Sequence, residues 1–438
     1  MKFFGREKES KLLQEIANRA KENAQFTVLS GARRIGKTSL VKHVFGEENM
    51  LYFFVSKKTE QALCEIFQQE VENKLHVPMP AEAMRFEKLF DYIMRLSETR
   101  EFTLFIDEFQ VFKKIDESIY GDIQKVWDLR KENSHLNLIV GGSAKSLLLR
   151  LFEDKSEPLY GRQTATIKLD HFYPALLKEI LATYNPHYSA DDLLALYSIT
   201  GGVARYVELL MDAGATTKDK MIREIIRSSS IFLSEGKNHL IEEFGKDYGT
   251  YFSILTAIAT GHVERAQIED IVGKGVGGYL ATLEDTYDVI KKHQPLFVDT
   301  NKVVRYILND SFYIFWFRYI YRYNYMLEIG AYDKLIQVIK EDFDTFSGKR
   351  MESLYKEMLI ESLQYTRIDT WWSRNGESEI DLIAINELNK TAEFYELKRQ
   401  TSAFNPSLLH QRVQEFLVAT RKLKGYTVSE HSVSLQSL

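Results

Sequence analysis

The sequence contains very little cysteine and proline. Its 438 residues include one cysteine, Cys64, together with 7 prolines and 23 glycines. A single cysteine excludes an intrachain disulfide framework and any zinc site built from several cysteines. The scarcity of proline and glycine argues against long disordered linkers, and the length suits about two to four domains. We therefore expect a folded protein of a reducing compartment, the cytoplasm.

Long apolar runs and an excess of positive charge are also missing. The most apolar stretch, residues 312–317, ends at Arg318 and falls far short of the roughly 20 residues that cross a bilayer. The first residues are charged, which is not typical of a secretory signal peptide. The net charge is −5, so any contact with nucleic acid requires a local basic patch. These features predict no membrane partner.

One short segment carries a clear chemical signal. Residues 31–38 read Gly-Ala-Arg-Arg-Ile-Gly-Lys-Thr, which fits the phosphate-binding loop pattern G-x-x-x-x-G-K-[ST] at every required position. A strand pattern at 26–30 precedes the segment, and a helix pattern at 39–45 follows it. This is the structural context that the motif requires.

Each defined position of the loop has a physical reason. Gly31 and Gly36 allow a tight backbone path, so that N–H groups at the start of the helix can surround a phosphate. Lys37 would reach the β- and γ-phosphates, and the Thr38 hydroxyl would hold Mg²⁺. The loop therefore predicts a nucleotide site.

The order of strand and helix patterns predicts an α/β fold. Segments of helical period separate five apolar segments, at 26–30, 50–55, 102–108, 136–140 and 164–169. This alternation predicts a mainly parallel, doubly wound sheet. The rest of the chain predicts a helical region, then three helices and a hairpin typical of a winged helix, and finally a separate α/β module. The predicted domains are a P-loop ATPase core at 1–170, a helical lid at 171–246, a winged helix at 247–310, a helical connector at 311–345 and the module at 346–438.

Polar side chains follow the predicted strands at their carboxyl ends, where such sheets bind ligands. Asp107 is placed to assist Mg²⁺, and Glu108 is placed to orient or polarise an attacking water. Ser143 follows the next strand and is a candidate contact for the γ-phosphate or the water. Each of these positions is also consistent with a solvated turn.

Three arginines are further candidates. Arg162, in a predicted loop, would neutralise charge that develops on the phosphoryl group, or it is a surface arginine. Whether it acts within its own chain or on a neighbouring copy is open. Arg33 and Arg34, within the phosphate loop, are either γ-phosphate sensors or partners of acids.

Four segments, in this order, resemble the archaeal-type AAA-like ATPases, relatives of the STAND signalling ATPases. They are residues 4–9, the loop that ends at Ser39, residues 106–110 and residues 201–206. The resemblance implies ATP as cofactor, Ser39 as part of the phosphate site, Arg6 near the adenine and residues 201–206 in a lid that senses nucleotide. This chain has Ala204 where the family pattern has proline.

The C-terminal module carries a second candidate site. Glu396 and Lys398 lie two apart on a predicted strand and so share a face, and Asp381 lies on the strand before. Asp381 and Glu396 would jointly bind a divalent cation, Lys398 would position or activate a water, and Glu352 on the preceding helix would complete the cluster. That is the chemistry of metal-dependent phosphodiester cleavage.

This ordered set resembles the PD-(D/E)xK nucleases, which implies a restriction-endonuclease-like fold and a site formed by Glu352, Asp381, Glu396 and Lys398. Two alternatives stay open: solvated strand faces with cross-strand salt bridges, and a nuclease fold that binds DNA without cutting it. Basic residues between 398 and 424 favour contact with a phosphate backbone, or they form a solvent-exposed helix face.

The remaining patterns favour docking and core packing over contact with nucleic acid. The candidate recognition helix at 276–287 has no lysine or arginine, so a docking surface within the chain or for a protein is favoured over DNA reading. Lys291, Lys292 and His293 in the hairpin keep DNA binding open. The aromatic run from Phe312 to Tyr325 is interpreted as core packing rather than a base-stacking platform.

These interpretations lead to two functional hypotheses. The first is an ATP-driven switch that controls a C-terminal module which binds, or cuts, nucleic acid. The alternative is an ATP-dependent signalling or regulatory scaffold with a catalytically inactive module, which acts through a second copy or a protein partner. A small-molecule kinase is a weaker interpretation, because it does not explain the lid, the winged helix or the basic module.

Overall fold

The computed structural model describes residues 2–79, 85–142, 145–244, 248–298 and 303–438. The chain divides into two compact units, Lys2–His171 and Phe172–Leu438. Ser143, a candidate from the sequence, lies outside the described residues.

The N-terminal unit is built on a parallel sheet. Its strands are β1 (Gln25–Gly31), β2 (Met50–Phe54), β3 (Phe102–Asp107), β4 (Leu136–Gly141) and β5 (Ala165–Leu169). Their order is β2-β3-β4-β1-β5, and every neighbouring pair is parallel. The predicted parallel sheet is confirmed. Because all the strands point the same way, β1, β3 and β4 end at the same edge.

Helices cover both faces of this sheet. They are α1 (Glu7–Ala20), α2 (Lys37–Phe45), α3 (Glu60–Leu75), α4 (Phe86–Leu96), α5 (Phe112–Ile115), α6 (Ser118–Arg130) and α7 (Lys145–Glu153). Leu29 and Phe105 pack in one apolar cluster with side chains of α1 and α2. Val28 and Leu104, which point to the other face, pack in a second cluster with side chains of α3, α4 and α6. Because these strands are buried on both faces, their sequences are continuously apolar.

The C-terminal unit begins with helices. They are α8 (Pro174–Tyr184), α9 (Ala190–Thr200), α10 (Ala204–Asp212), α11 (Lys218–Ile226) and α12 (Phe232–Phe244). Gly201 ends α9 with a φ of 57°, and Gly202 follows with a φ of 74°. A side chain at Gly202 would collide with the carbonyl oxygen of Phe172. The paired glycines thus serve a close backbone crossing.

Three helices and a hairpin follow. They are α13 (Tyr248–Ala259), α14 (Arg265–Val272), α15 (Gly277–Ala281), β6 (Ile290–His293) and β7 (Arg305–Leu308). The two strands pair antiparallel. These elements match the predicted order, and the assignment as a winged helix stays a prediction.

The aromatic run is core from Phe312 to Ile320, whereas Tyr325 at its end is exposed. Short helices α16 (Ser311–Phe315) and α17 (Asn324–Glu328) flank a π-helical segment at Trp316–Tyr321. Phe312, Phe315 and Trp316 are all buried. Arg318 forms a bidentate pair with Asp342, with N–O distances of 2.8 and 3.0 Å. Packing rather than base stacking therefore explains the run.

One long helix corrects a prediction. The sequence predicted a change of structure at residues 346–348 and a new helix just beyond them. Instead α18 runs without interruption over Tyr332–Glu361, so the predicted boundary between connector and module falls inside a helix. Glycine in a helix costs only about 1 kcal/mol relative to alanine, and the buried neighbours Phe343 and Met351 hold Gly348 in the helical path.

The chain ends in a mixed sheet. Its elements are β8 (Arg367–Trp372), β9 (Glu379–Asn386), β10 (Thr391–Lys398), α19 (Pro406–Thr420) and β11 (Thr427–Ser434). The strand order is β11-β10-β9-β8, antiparallel except for β10 with β11. The sequence did not predict β11, because it is mostly polar and pairs only at the sheet edge. Among the helices that the structure describes, none has the length and apolar composition of a membrane span.

Candidate functional site

The phosphate loop connects β1 to α2 through two glycines with positive φ. Gly31 has a φ of 154°, and a Cβ atom there would lie 2.7 Å from the carbonyl oxygen of Leu169. Gly36 precedes α2 with a φ of 97°. Both positions therefore need glycine, and the path that they allow directs the loop into the N-terminus of α2, where anions are favoured.

Lys37 is folded back onto its own loop. Its Nζ donates to the carbonyl oxygens of Gly31 at 2.8 Å and Ala32 at 2.9 Å. Burial lowers the pKa of Lys37 to about 8, a shift opposed by the carboxylates of Asp107 and Glu108. The charge is thus held at the loop by weak neutral acceptors that an anion would outcompete.

Asp107 ends β3 beside the loop. Its Oδ2 accepts a hydrogen bond from the Thr38 hydroxyl at 2.7 Å and another from the Tyr52 hydroxyl at 3.2 Å. Its Oδ1 accepts from the backbone N–H of Glu108 at 3.0 Å. The side chain is 6% exposed. Burial and the Asp107 carboxylate raise the pKa of Tyr52, so its phenol is a neutral donor.

Glu108 lies at the same edge, in a left-handed conformation with a φ of 55°. Its Oε2 accepts from Nε2 of Gln110 at 2.6 Å. A side chain at Gly142, at the end of β4, would collide with the Gln110 amide. Gln110 therefore lies between the Glu108 carboxylate and Gly142, and this position sets the direction of the carboxylate.

The other candidate residues belong to the phosphate loop region and to the N-terminal segment. Arg33 and Ser39 are exposed, and Arg34 is partly exposed with a φ of 64°. The Arg6 guanidinium donates to the carbonyl oxygens of Ile35, at 3.3 Å, and of Asp170. Arg6 therefore ties the N-terminal segment to the phosphate loop through backbone contacts.

Arg162 lies at the opposite edge of the sheet. It lies three residues before the start of β5, which runs parallel to β1, so it is at the amino ends of the strands. Its guanidinium donates to Oδ2 of Asp128 at 3.2 Å and to the Tyr160 carbonyl oxygen at 2.8 Å. A strand of this length separates the two edges by roughly 20 Å. Arg162 therefore lies away from the phosphate loop of its own chain.

In the C-terminal unit the predicted acids and lysine come together. Oδ2 of Asp381 accepts from the backbone N–H of Leu397 at 2.8 Å and from Nζ of Lys398 at 3.2 Å. The same Nζ lies 3.7 Å from Oε1 of Glu396, a residue that is 3% exposed. Lys398 thus bridges two carboxylates on neighbouring strands.

Glu352 faces this pair from α18. Burial, and then the Asp381 carboxylate, raise the pKa of Glu352 to about 8, and the positive charges of Lys349 and Lys398 partly offset that shift. Burial and the neighbouring carboxylate thus favour the neutral form of Glu352.

This balance does not favour the predicted cation site. Asp381 and Glu396 are neutralised by the Lys398 ammonium, which occupies the position between them. Across the described parts of the chain, no group of three or more Asp, Glu, His or Cys side chains is arranged to hold a metal ion. The residues therefore do not fit a metal in this arrangement, and we derive no cleavage step from one.

The hairpin docks on the C-terminal sheet. Arg305 donates to Oε2 of Glu379 at 3.1 Å, and its guanidinium lies 4.2 Å from the centre of the Trp372 ring. His293 Nε2 lies 2.8 Å from Oδ1 of Asp369. Of the basic hairpin residues that kept DNA binding open, His293 is thus engaged within the chain, and the docking role of the helix at 276–287 stays a prediction. Lys292 likewise pairs with Glu284.

Sequence reasoning missed three of these participants: Tyr52, Glu379 and Arg305. Nothing in the sequence next to Tyr52 marks it, because its partner Asp107 lies 55 positions away. Glu379 stands two residues before Asp381 on the same strand face, and that spacing was an available signal.

Comparison with known proteins agrees with this geometry. Residues 3–210 match a family model described as "ATPase domain predominantly from Archaea". Residues 316–408 match a model described as "Archaea bacterial proteins of unknown function". An uncharacterized protein of Methanocaldococcus jannaschii is 29% identical over 408 residues, which cover 90% of this chain and 87% of that protein.

Solved structures show the fold. A Walker-type ATPase of Pyrococcus abyssi matches with a TM-score of 0.54 and 18% identity, over 72% of this chain and 96% of that one. The ORC2 protein of Aeropyrum pernix, solved as ADPNP–ADP complexes, matches with a TM-score of 0.51 and 14% identity, over 77% of this chain and 95% of that one. Residues 3–210 therefore match an ATPase family model and carry a phosphate-binding loop on a parallel α/β sheet.

Proposed function

We propose that this protein is an ATP-binding and ATP-hydrolysing switch whose nucleotide state controls its C-terminal module. The observation that carries the proposal is the 2.7 Å hydrogen bond between Thr38 and the buried Asp107, beside the loop that holds Lys37. A hydroxyl and an ammonium at the start of α2, with a carboxylate from the end of β3 beside them, are the groups that a metal–triphosphate complex requires.

Mg²⁺ fits the oxygen atoms of this edge. The Thr38 hydroxyl and the Asp107 carboxylate would hold it, since Mg²⁺ prefers oxygen ligands and binds through one or two carboxylates plus phosphates. When bound, the ion neutralises charge on the β- and γ-phosphates. Lys37 would exchange the carbonyl oxygens of Gly31 and Ala32 for phosphate oxygens, and Arg33 and Arg34 would add positive charge at the loop.

Glu108 would act on the attacking water. A carboxylate within reach of the γ-phosphate can orient the water and accept its proton. The Gln110 amide supports this role, because it fixes one carboxylate oxygen of Glu108 at 2.6 Å. Ser143, which follows Gly142 in the sequence, stays a predicted contact of the phosphate or the water.

Arg162 is proposed to act only between copies. Its place at the amino edge of the sheet suits contact with the nucleotide of a neighbouring molecule rather than its own. Turnover per molecule would then rise with protein concentration in the wild type and stay constant in Arg162→Ala. A constant value in both proteins would overturn this role.

For the C-terminal module we propose nucleic-acid binding under control of the switch. The resemblance to PD-(D/E)xK nucleases is supported by the convergence of Glu352, Asp381, Glu396 and Lys398. Control from the helical region is supported by the docked hairpin, which reaches Glu379 through Arg305.

The use of Lys398 favours the alternative of a regulatory scaffold. An ammonium between two carboxylates leaves them little need for a divalent cation, which suits a catalytically inactive module. The contacts of Arg399 also favour the scaffold, since Arg399 pairs with Asp191 at 2.7 Å and Asp344 at 2.9 Å. A residue held by two acids is a poor candidate for contact with a phosphate backbone.

ATPase and nuclease assays on the purified full chain, with and without DNA or RNA, test both proposals. We expect Lys37→Ala to lose nucleotide binding and turnover by about 100-fold or more, because it removes the charge that meets the phosphates. Lys125→Ala is the control, since Lys125 is an exposed lysine of α6 that pairs with Glu87 on the surface. Equal turnover in the wild type and Lys37→Ala would refute the switch.

The same assays separate the two C-terminal functions. Cleavage by the wild type with Mg²⁺ or Mn²⁺ that disappears in Asp381→Ala would establish a nuclease. Binding of DNA or RNA without cleavage would establish a module that binds but does not cut. Neither binding nor cleavage would leave the scaffold as the function.

A further inference from the structure

Tyr52 contacts the acid that the proposed function assigns to Mg²⁺, and neither the motif nor the family match singles it out. It lies on β2, which pairs with β3 in a register that sets Tyr52 opposite Phe105 and Phe54 opposite Asp107. Because side chains alternate along a strand, Tyr52, Phe105 and Asp107 lie on one face. The phenol of Tyr52 is long enough to pass Phe105 and reach the carboxylate.

Two contacts hold the Tyr52 ring, and a backbone hydrogen bond holds the residue itself. Its centre lies 5.7 Å from that of Phe105, and Nζ of Lys42 lies 5.4 Å from it on the side of α2. The backbone N–H of Tyr52 donates to Oε1 of Glu70 at 3.3 Å, which fixes this point of the edge strand to α3. The hydroxyl therefore meets Oδ2 of Asp107 from a braced position.

Two hydroxyl groups share this single oxygen of Asp107. Thr38 donates at 2.7 Å and Tyr52 at 3.2 Å, and a carboxylate oxygen has two acceptor sites. Thr38 is itself a proposed ligand, so its hydroxyl oxygen has to serve the cation when Mg²⁺ binds. The Tyr52 hydroxyl is not a proposed ligand, so it can hold the carboxylate whether or not Mg²⁺ is bound.

We propose that Tyr52 is a positioning residue that orients the Asp107 carboxylate for Mg²⁺ and thereby sets the affinity of the nucleotide complex for the ion. This inference rests on the proposed function, because it requires that Asp107 serve a metal-bound nucleotide. Partners that orient metal-binding groups in this way commonly change metal affinity about 10- to 100-fold when removed.

The test compares Mg²⁺ dependence with nucleotide affinity. Tyr52→Phe removes one oxygen atom and keeps the ring, so the contacts to Phe105 and Lys42 persist. Binding of a fluorescent, non-hydrolysable ATP analogue to the full chain is titrated with Mg²⁺, and the same binding is measured in EDTA. Tyr92→Phe is the control, since its hydroxyl donates to the Pro78 carbonyl oxygen at 2.8 Å rather than to an acid.

We expect Tyr52→Phe to need about 10-fold more Mg²⁺ for half-maximal binding, with analogue affinity in EDTA and thermal midpoint close to the wild type. Tyr92→Phe should match the wild type throughout. Superimposable Mg²⁺ titrations of Tyr52→Phe and the wild type would overturn the inference and leave the ATPase proposal intact. An equal loss of affinity in EDTA would also overturn it, because the hydroxyl would then serve the nucleotide. A wild type that binds no analogue under either condition would overturn the proposed function and this inference together.

Discussion

Two lysines of this protein lie beside acids and are used in opposite ways. Lys37 donates to the carbonyl oxygens of its own loop, and Asp107 accepts instead from hydroxyl and amide donors. Lys398 contacts Asp381 and Glu396 directly. A buried carboxylate held by neutral donors keeps a charge that attracts a cation, whereas one paired with an ammonium is already compensated. Similar residue types thus favour a metal–nucleotide site in one unit and an internal ion pair in the other.

The largest effect is expected at Glu108, and it tests the N-terminal site of this comparison. Glu108→Gln preserves the shape of the side chain but removes the negative charge, so ATP hydrolysis should slow about 100- to 1,000-fold with nearly unchanged nucleotide affinity. Single-turnover hydrolysis and equilibrium binding measure the two quantities. Glu117→Gln, at a surface glutamate that pairs with Lys113, should behave as the wild type. Normal hydrolysis by Glu108→Gln would contradict the role of the carboxylate.

The next effect concerns the charge balance at Lys398. Lys398→Met leaves the Asp381 and Glu396 carboxylates facing each other, and we expect a loss of about 1–3 kcal/mol of unfolding free energy, since the lysine is one-third exposed. Mn²⁺ should restore part of the thermal midpoint in this variant and leave the wild type unchanged. Lys422→Met, at an exposed position, is the control.

The opposite result would break the comparison. If Mn²⁺ raises the thermal midpoint of the wild type, and Asp381→Ala abolishes that rise, then the lysine yields its place to a cation. The two sites would then be alike in using a metal.

The smallest effect is expected where the hairpin meets the C-terminal sheet. Hydrogen bonds from His293 and Lys356 hold the pKa of Asp369 below its usual range despite burial, which acts in the opposite direction. A depressed carboxyl pKa stabilises the fold above the unfolded value near 3.9, and this contribution is lost as the pH falls through the lower folded value. Asp369→Asn should therefore cost about 1 kcal/mol at pH 7, and the difference from the wild type should shrink below about pH 4.

Thermal unfolding at a series of pH values measures this difference. Asp270→Asn, at an exposed position of α14, should show no pH-dependent difference from the wild type. A constant gap between Asp369→Asn and the wild type from pH 7 down to pH 3 would show that the Asp369 carboxylate does not brace the hairpin.

Local patterns predicted much of the fold. The five parallel strands of the N-terminal unit follow from continuous apolar segments separated by segments of helical period, and each strand is present close to its predicted bounds. Two elements were predicted wrongly or not at all, each for its own reason. Gly348 suggested a break that packing overrides, and β11 has too few apolar residues to be distinguished from a loop.

The sequence by itself determined the phosphate loop and its neighbours, because glycine spacing, lysine and threonine act within eight consecutive residues that one strand–helix turn must bring together. It also determined that acids would end β3, since an apolar run followed by Asp107 and Glu108 is a local signal. Only the tertiary structure decided that Tyr52 reaches Asp107, that Arg162 lies at the far edge of the sheet, and that Lys398 neutralises two acids. Those contacts depend on strand order and register, which join residues that are distant in the chain.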